Sequence, residues 1–105
     1  MTEPKLLDNS IEQRFHEMAT EWKAFLGVSS SLSEMFVQPS YQEIIALGEP
    51  AVPLVLAELE REPDWWFAAL KAMTGSDPVA PEQRGKLVEM TRAWLDWGRA
   101  RGYRW

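Results

Sequence analysis

The sequence predicts an all-α fold, a compact bundle of five or six helices. Three observations lead there. Every long segment repeats its apolar residues at the helical period. No stretch of about four to eight residues alternates apolar and polar between turn signals, as a half-buried strand would. The stretch Ala46 to Leu59 reads as a helix end, a Gly-Pro corner, and a second helix apolar on more than one side, which several neighbours must cover.

The elements follow in order. From Ile11 to Leu26, the residues Ile11, Phe15, Met18, Trp22, Phe25 and Leu26 share one face. Glu12, Gln13, Glu17 and Lys23 lie off it. Asp8, Asn9 or Ser10 supplies the N-cap, leaving residues 1–9 as a flexible lead-in. Gly27 and the serines Ser29, Ser30 and Ser31 end this helix. Ser31 or Ser33 caps a short turn through Glu34–Val37, which Pro39 stops because a residue before proline avoids the helical region. Ser40 then caps a helix from Tyr41 to Leu47, with Ile44 and Ile45 inward. Gly48 stands where a helix needs a left-handed C-terminal residue. Pro50 and Pro53 suit the first turn of the next helix, where a missing N–H costs little. Val52, Val55, Leu56 and Leu59 form its main stripe, and Leu54 points the other way. Pro63-Asp64 breaks and caps. A helix from Trp65 to Thr74 follows, with Trp66, Ala69, Leu70 and Met73 on one face and Gly75 closing it. Ser76 to Pro81 is turn-rich, and Glu82 to Arg101 is the last helix. Its inner arc holds Leu87, Val88, Met90, Thr91, Trp94, Leu95 and Gly98.

Composition narrows the function classes. The 105 residues make one domain, long enough to bury about 65% of the unfolded surface without a metal or disulfide. With no cysteine there is no disulfide scaffold, thiol nucleophile or thiolate metal site, which fits a cytoplasmic protein. The polar opening Met1–Lys5 leads into no apolar run of signal length. No segment reaches the roughly 20 apolar residues that a membrane helix needs. Residues 1–64 carry 12 acids and 4 bases, and residues 65–105 carry 4 acids and 7 bases. The acidic front disfavours phosphate binding, while the mildly basic back leaves room for a local anion site. Six tryptophans are hard to bury completely in so short a chain, and Trp is favoured at interface hot spots.

Ala46-Leu47-Gly48, Ala51-Val52-Pro53-Leu54, Leu59, Pro63-Asp64, Ala68-Ala69-Leu70 and Gly75 together resemble the short HEAT-like repeat of the PBS-lyase type. The resemblance covers residues 41–75. It implies an antiparallel helix pair in the middle of the bundle and a scaffold that binds proteins. Where that family carries an arginine early in the following helix, this chain reads Trp65-Trp66-Phe67, so a polar ladder between repeats is not expected. One repeat makes no solenoid, so the flanking helices act as caps.

Several residues invite functional readings. His16, the only histidine, lies off the apolar face with Glu12 and Thr20 as helical neighbours, and reads as a surface or boundary residue. Acid–base catalysis would need a positioned partner and metal binding would need more ligands. Glu58, Glu60, Glu62 and Asp64 form a dense acidic run that reads as solvated, with docking of a basic partner as its functional reading. Consecutive helical residues point about 100° apart, so Trp65, Trp66 and Phe67 cannot share one core face. Trp66 is best placed inward, with Trp65 and Phe67 on opposite flanks. At the C-terminal end Arg92, Trp94, Trp97, Arg99, Arg101, Tyr103, Arg104 and Trp105 interleave bases with aromatics, as single-stranded nucleic-acid binders do. Arginines near a helix end also simply suit its dipole. No phosphate loop, Ser-His-Asp set or nucleotide fingerprint is present.

The reading that follows is a non-catalytic protein-binding module, such as a small adaptor, inhibitor or antitoxin-like regulator, without cofactor or metal. Its partner is another protein, and self-association stays open. Trp65, Phe67, Trp97, Tyr103 and Trp105 are the candidate contact residues. The alternative is a nucleic-acid-binding regulator using Arg99, Arg101 and Arg104, which the acidic balance of the chain disfavours.

Overall fold

Burial follows the helical period along Phe15–Trp22 and Val52–Leu59. A computed structural model describes the backbone of residues 3–26 and 37–105, and the side chains of 11–25 and 37–105. Among the described residues five α-helices form: α1 (Glu3–Leu26), α2 (Pro39–Leu47), α3 (Val52–Arg61), α4 (Phe67–Thr74) and α5 (Leu87–Ala100). The same residues include two 3-10 turns, Glu49–Ala51 and Pro81–Gln83. No strand occurs among the described residues, and the fold is all-α. Contacts divide the chain into two compact units, with the boundary after Ala51.

In the first unit α1 buries Phe15, Met18, Ala19 and Trp22 at i, i+3, i+4 and i+7. Tyr41 and Ile44 of α2 pack on that stripe, with Trp22 and Tyr41 rings 4.9 Å apart. Each large side chain so enclosed contributes about 1.5–3 kcal/mol of hydrophobic stabilisation. The helix α1 begins at Glu3, not beyond Asp8, Asn9 and Ser10, so residues 3–9, expected as a flexible lead-in, are its first turns. Those capping residues carry only a small helix penalty, and Pro4 fits a first turn. The N-cap of α2 also differs. Pro39 is its first residue, and the extended Gln38 (φ −62°, ψ 135°) caps it by accepting from the Ser40 N–H at 2.9 Å. Ser40 instead donates its hydroxyl to Glu21 Oε1 at 2.8 Å and ties α2 to α1. The expected helix stop at Gly27, the serine cluster and the turn through Glu34–Phe36 lie outside the described residues.

In the second unit α3 packs against both α4 and α5. Val52, Val55, Leu56 and Leu59 are all fully buried, as the stripe predicts. Trp66, Phe67, Ala69 and Leu70 cover them from the α4 side. The helix α4 starts at Phe67 rather than Trp65, because Asp64 folds residues 64–66 into a turn. Its Oδ1 accepts the Trp65 N–H and its carbonyl accepts the Trp66 N–H, both at 2.8 Å. The helix predicted from Glu82 to Arg101 is shorter, since Gly85 at φ 84° separates the 3-10 turn from α5. Within α5 the buried arc is narrow: Thr91, Trp94, Leu95 and Gly98. Val88, expected on that arc, is 67% exposed because α3 covers only one side of the helix.

Asp77 organises the connection from α4 to α5. It accepts from Arg84 at 2.8 Å and from the Val79 N–H at 3.3 Å, with Lys71 Nζ 3.5 Å away. Val79 is thereby held in the core, 6% exposed. The bond from Arg84 holds the Asp77 carboxyl below the usual carboxylate range.

Two outcomes follow from this packing. Leu56→Ala is expected to cost about 2–5 kcal/mol, read as a shift of the urea midpoint, because the cavity opens at a fully buried position. A depressed native pKa means that the Asp77 contribution is complete above its unfolded value of 3.8 and is lost as pH falls through the lower native value. Thermal melts of Asp77→Asn should therefore depend less steeply on acid than those of the parent chain.

Candidate functional site

The second unit ends in a reversal that gathers aromatics and arginines. Gly102, at φ 88°, closes α5 by donating its N–H to the Arg99 carbonyl at 3.1 Å. The Tyr103 N–H donates to the Gly98 carbonyl at 3.0 Å. This paired arrangement needs a left-handed residue after the helix, which glycine adopts without strain. It turns residues 103–105 back along the helix.

Trp105 is thus laid on Gly98. A Cβ at position 98 would stand 2.7 Å from Leu56 Cδ1 and 3.0 Å from the Trp105 ring, so only glycine lets both approach. The Trp105 indole donates Nε1–H to Glu60 Oε1 at 2.8 Å. The Arg99 guanidinium donates to the other oxygen of Glu60 at 2.8 Å and stands 5.1 Å over the indole. Alongside, Trp97 meets the buried Trp94 edge-on at 5.2 Å and stacks with Tyr103 at 5.7 Å. Arg101 caps Trp97 from 5.0 Å. Glu60, Arg99, Tyr103, Arg104 and Trp105 line an open groove of about 360 Å³.

Exposed cation–π contacts contribute about 0.5–1 kcal/mol and aromatic pairs a similar amount, while an exposed ion pair adds little. Together they pack the half-buried rings against one another, against two arginines and against Glu60.

The structure thus brings together Trp97, Tyr103, Trp105, Arg99, Arg101 and Arg104 from the sequence-derived candidates. Trp65 and Phe67 instead pair with each other, rings 5.8 Å apart and nearly perpendicular. Phe67 is only 7% exposed, which removes it as a contact residue: the Asp64 turn starts α4 late and points this ring inward. Of the arginines, Arg99 is occupied by Glu60 and Arg101 by Trp97, while Arg104 is exposed and forms no ion pair among the described residues.

The acidic run is not a uniform solvated face. Glu58 is buried and bonded to Arg61, and that bond pushes the Arg61 guanidinium further up from its ordinary value. Glu60 anchors Trp105, and Asp64 builds its turn. His16 is exposed, its ring edge-on to Phe15 at 5.5 Å. No metal-binding group of three or more acids or histidines occurs among the described residues, and no described helix is long and apolar enough to cross a membrane. Residues 1–51 carry 8 acids and 3 bases, while residues 52–105 carry 8 of each, so the face lies in an electrically balanced unit.

Gly98→Ala tests how the face is held. Alanine gains about 1 kcal/mol of helix propensity over glycine, but overpacking costs about 1–3 kcal/mol. Leu56 is fully buried and cannot retreat, so the half-buried Trp105 gives way. The expected outcome is an intact fold in which the Trp105 indole N–H resonance moves towards its solvent-exposed position. Comparison with protein-family models, characterised proteins and solved structures returned no match.

Proposed function

We propose that this chain is a non-catalytic protein-binding module, a small cytoplasmic adaptor, inhibitor or antitoxin-like regulator. Its contact face is built by α5 and residues 101–105. The observation that carries the reading is the preordered set of half-buried rings, Trp97, Tyr103 and Trp105, interleaved with arginines. Aromatic and arginine side chains held rigid before binding are what interface hot spots use, because little side-chain entropy is left to lose. The sequence around Gly48 and Pro53 resembles a HEAT-like repeat, and that resemblance favours a scaffold role. Nucleic acid is the weaker reading. Of its three arginines, Arg99 is already neutralised by Glu60 and Arg101 already covers Trp97.

The test captures partners on the immobilised chain and repeats the capture with Tyr103→Ala and Arg104→Glu. Both are expected to keep the helical circular dichroism spectrum and to lose the captured protein, with affinity falling by about 2 kcal/mol for the ring. Oligonucleotides should show no tight, salt-sensitive binding. A steep fall of oligonucleotide affinity with salt would assign the face to nucleic acid instead.

A further inference from the structure

The outward side of α5 carries a charge pattern of which the face described above uses only Arg99. Glu89, Arg92, Asp96 and Arg99 are spaced three, four and three residues apart and alternate in sign. At about 100° per residue they fall within an arc of roughly 80°. Helical neighbours at these spacings commonly pair within one helix. Here Glu89 and Arg92 form no ion pair among the described residues, and Asp96 reaches Arg99 only at 3.9 Å. Next to this stripe Val88 is 67% exposed, and Val88, Thr91, Arg92, Leu95, Asp96 and Arg99 line a groove of about 320 Å³.

The spacing is a palindrome with inverted charge. Read backwards, each acid falls on a base and each base on an acid. We propose that this face of α5 pairs with the same face of a second copy of the chain, antiparallel about a two-fold axis.

In that arrangement Arg92 meets Asp96 of the second copy, and Asp96 meets its Arg92. Glu89 lies level with Arg99 of the other copy, and Val88 lies beside the aliphatic stem of that arginine. Parallel pairing would set like charges opposite one another. A two-fold interface must be self-complementary, and this stripe satisfies that condition only in the antiparallel sense. One helix pair buries less than the ~1,200 Å² of stable complexes, so self-association is weak, with Kd on the order of 100 μM. The stripe shares only Arg99 with the aromatic face and contains none of Trp97, Tyr103 and Trp105, so a test on Arg92 and Asp96 is separate from the protein-binding reading.

Sedimentation velocity on the full chain across a concentration series tests it. A monomer–dimer equilibrium that weakens with added salt is expected. Arg92→Glu and Asp96→Arg alone should each weaken the dimer at least about tenfold, because each breaks both symmetry-related pairs. The two changes together should restore it. Circular dichroism confirms that each variant stays helical. Should either reversal lose helicity, Arg92→Gln and Asp96→Asn are read in its place, with about threefold weakening expected from each. A chain that stays monomeric up to about 1 mM overturns the proposal. So does a dimer indifferent to the single changes, or one that the double change fails to restore.

Discussion

At position 98 the helix α5 has no side chain, and the second unit is arranged around that gap. Leu56 of α3 and the Trp105 ring both press into the space where a Cβ would be. Consequences then follow from helical geometry alone. Glu60 lies one turn beyond Leu56 on the same side of α3, so its carboxylate arrives beside the indole. Arg99, next to Gly98, is placed over the same ring and against the same carboxylate. One close helix contact therefore determines where an acid, a base and an aromatic meet. The reversal at Gly102 delivers the last of the three.

What was legible in the sequence was local. The stripes Phe15–Met18–Trp22 and Val52–Val55–Leu56–Leu59 are buried as their spacing says, because a helix determines which of its residues share a side. What was not legible depended on partners distant in the chain. The acidic run looked solvated, yet Glu60 bonds residues 39 and 45 positions away. Val88 fits the apolar arc of α5 by spacing, but how much of an arc is covered depends on where the neighbouring helix lies. The aromatic excess was visible without its division. Trp22, Trp66 and Trp94 are buried, while Trp65, Trp97 and Trp105 are only partly so. Late helix starts at Phe67 and Leu87 trace to the carboxylate of Asp64 and the backbone of Gly85, two capping details that periodicity does not carry.

The arginines of this region show why charge counts alone mislead. A polyanion is held by positive charge free to release counterions. Arg99 spends its charge on Glu60, and Arg101 stands 5.0 Å over the Trp97 ring. What they supply is shape and rigidity at the rim of an aromatic surface, with the unit as a whole electrically balanced. In the proposed protein-binding reading, such a surface docks by shape and direction rather than by long-range attraction.

Glu60 uses its two oxygens separately, one for the Trp105 indole and one for the Arg99 guanidinium. No other side chain does both at that reach. Aspartate is one methylene short of partners already at 2.8 Å, and glutamine offers one acceptor where two are used. Position 60 is therefore closed to the two replacements that resemble it most. An exposed residue in an acidic stretch is thus specified by the geometry of two partners rather than by burial.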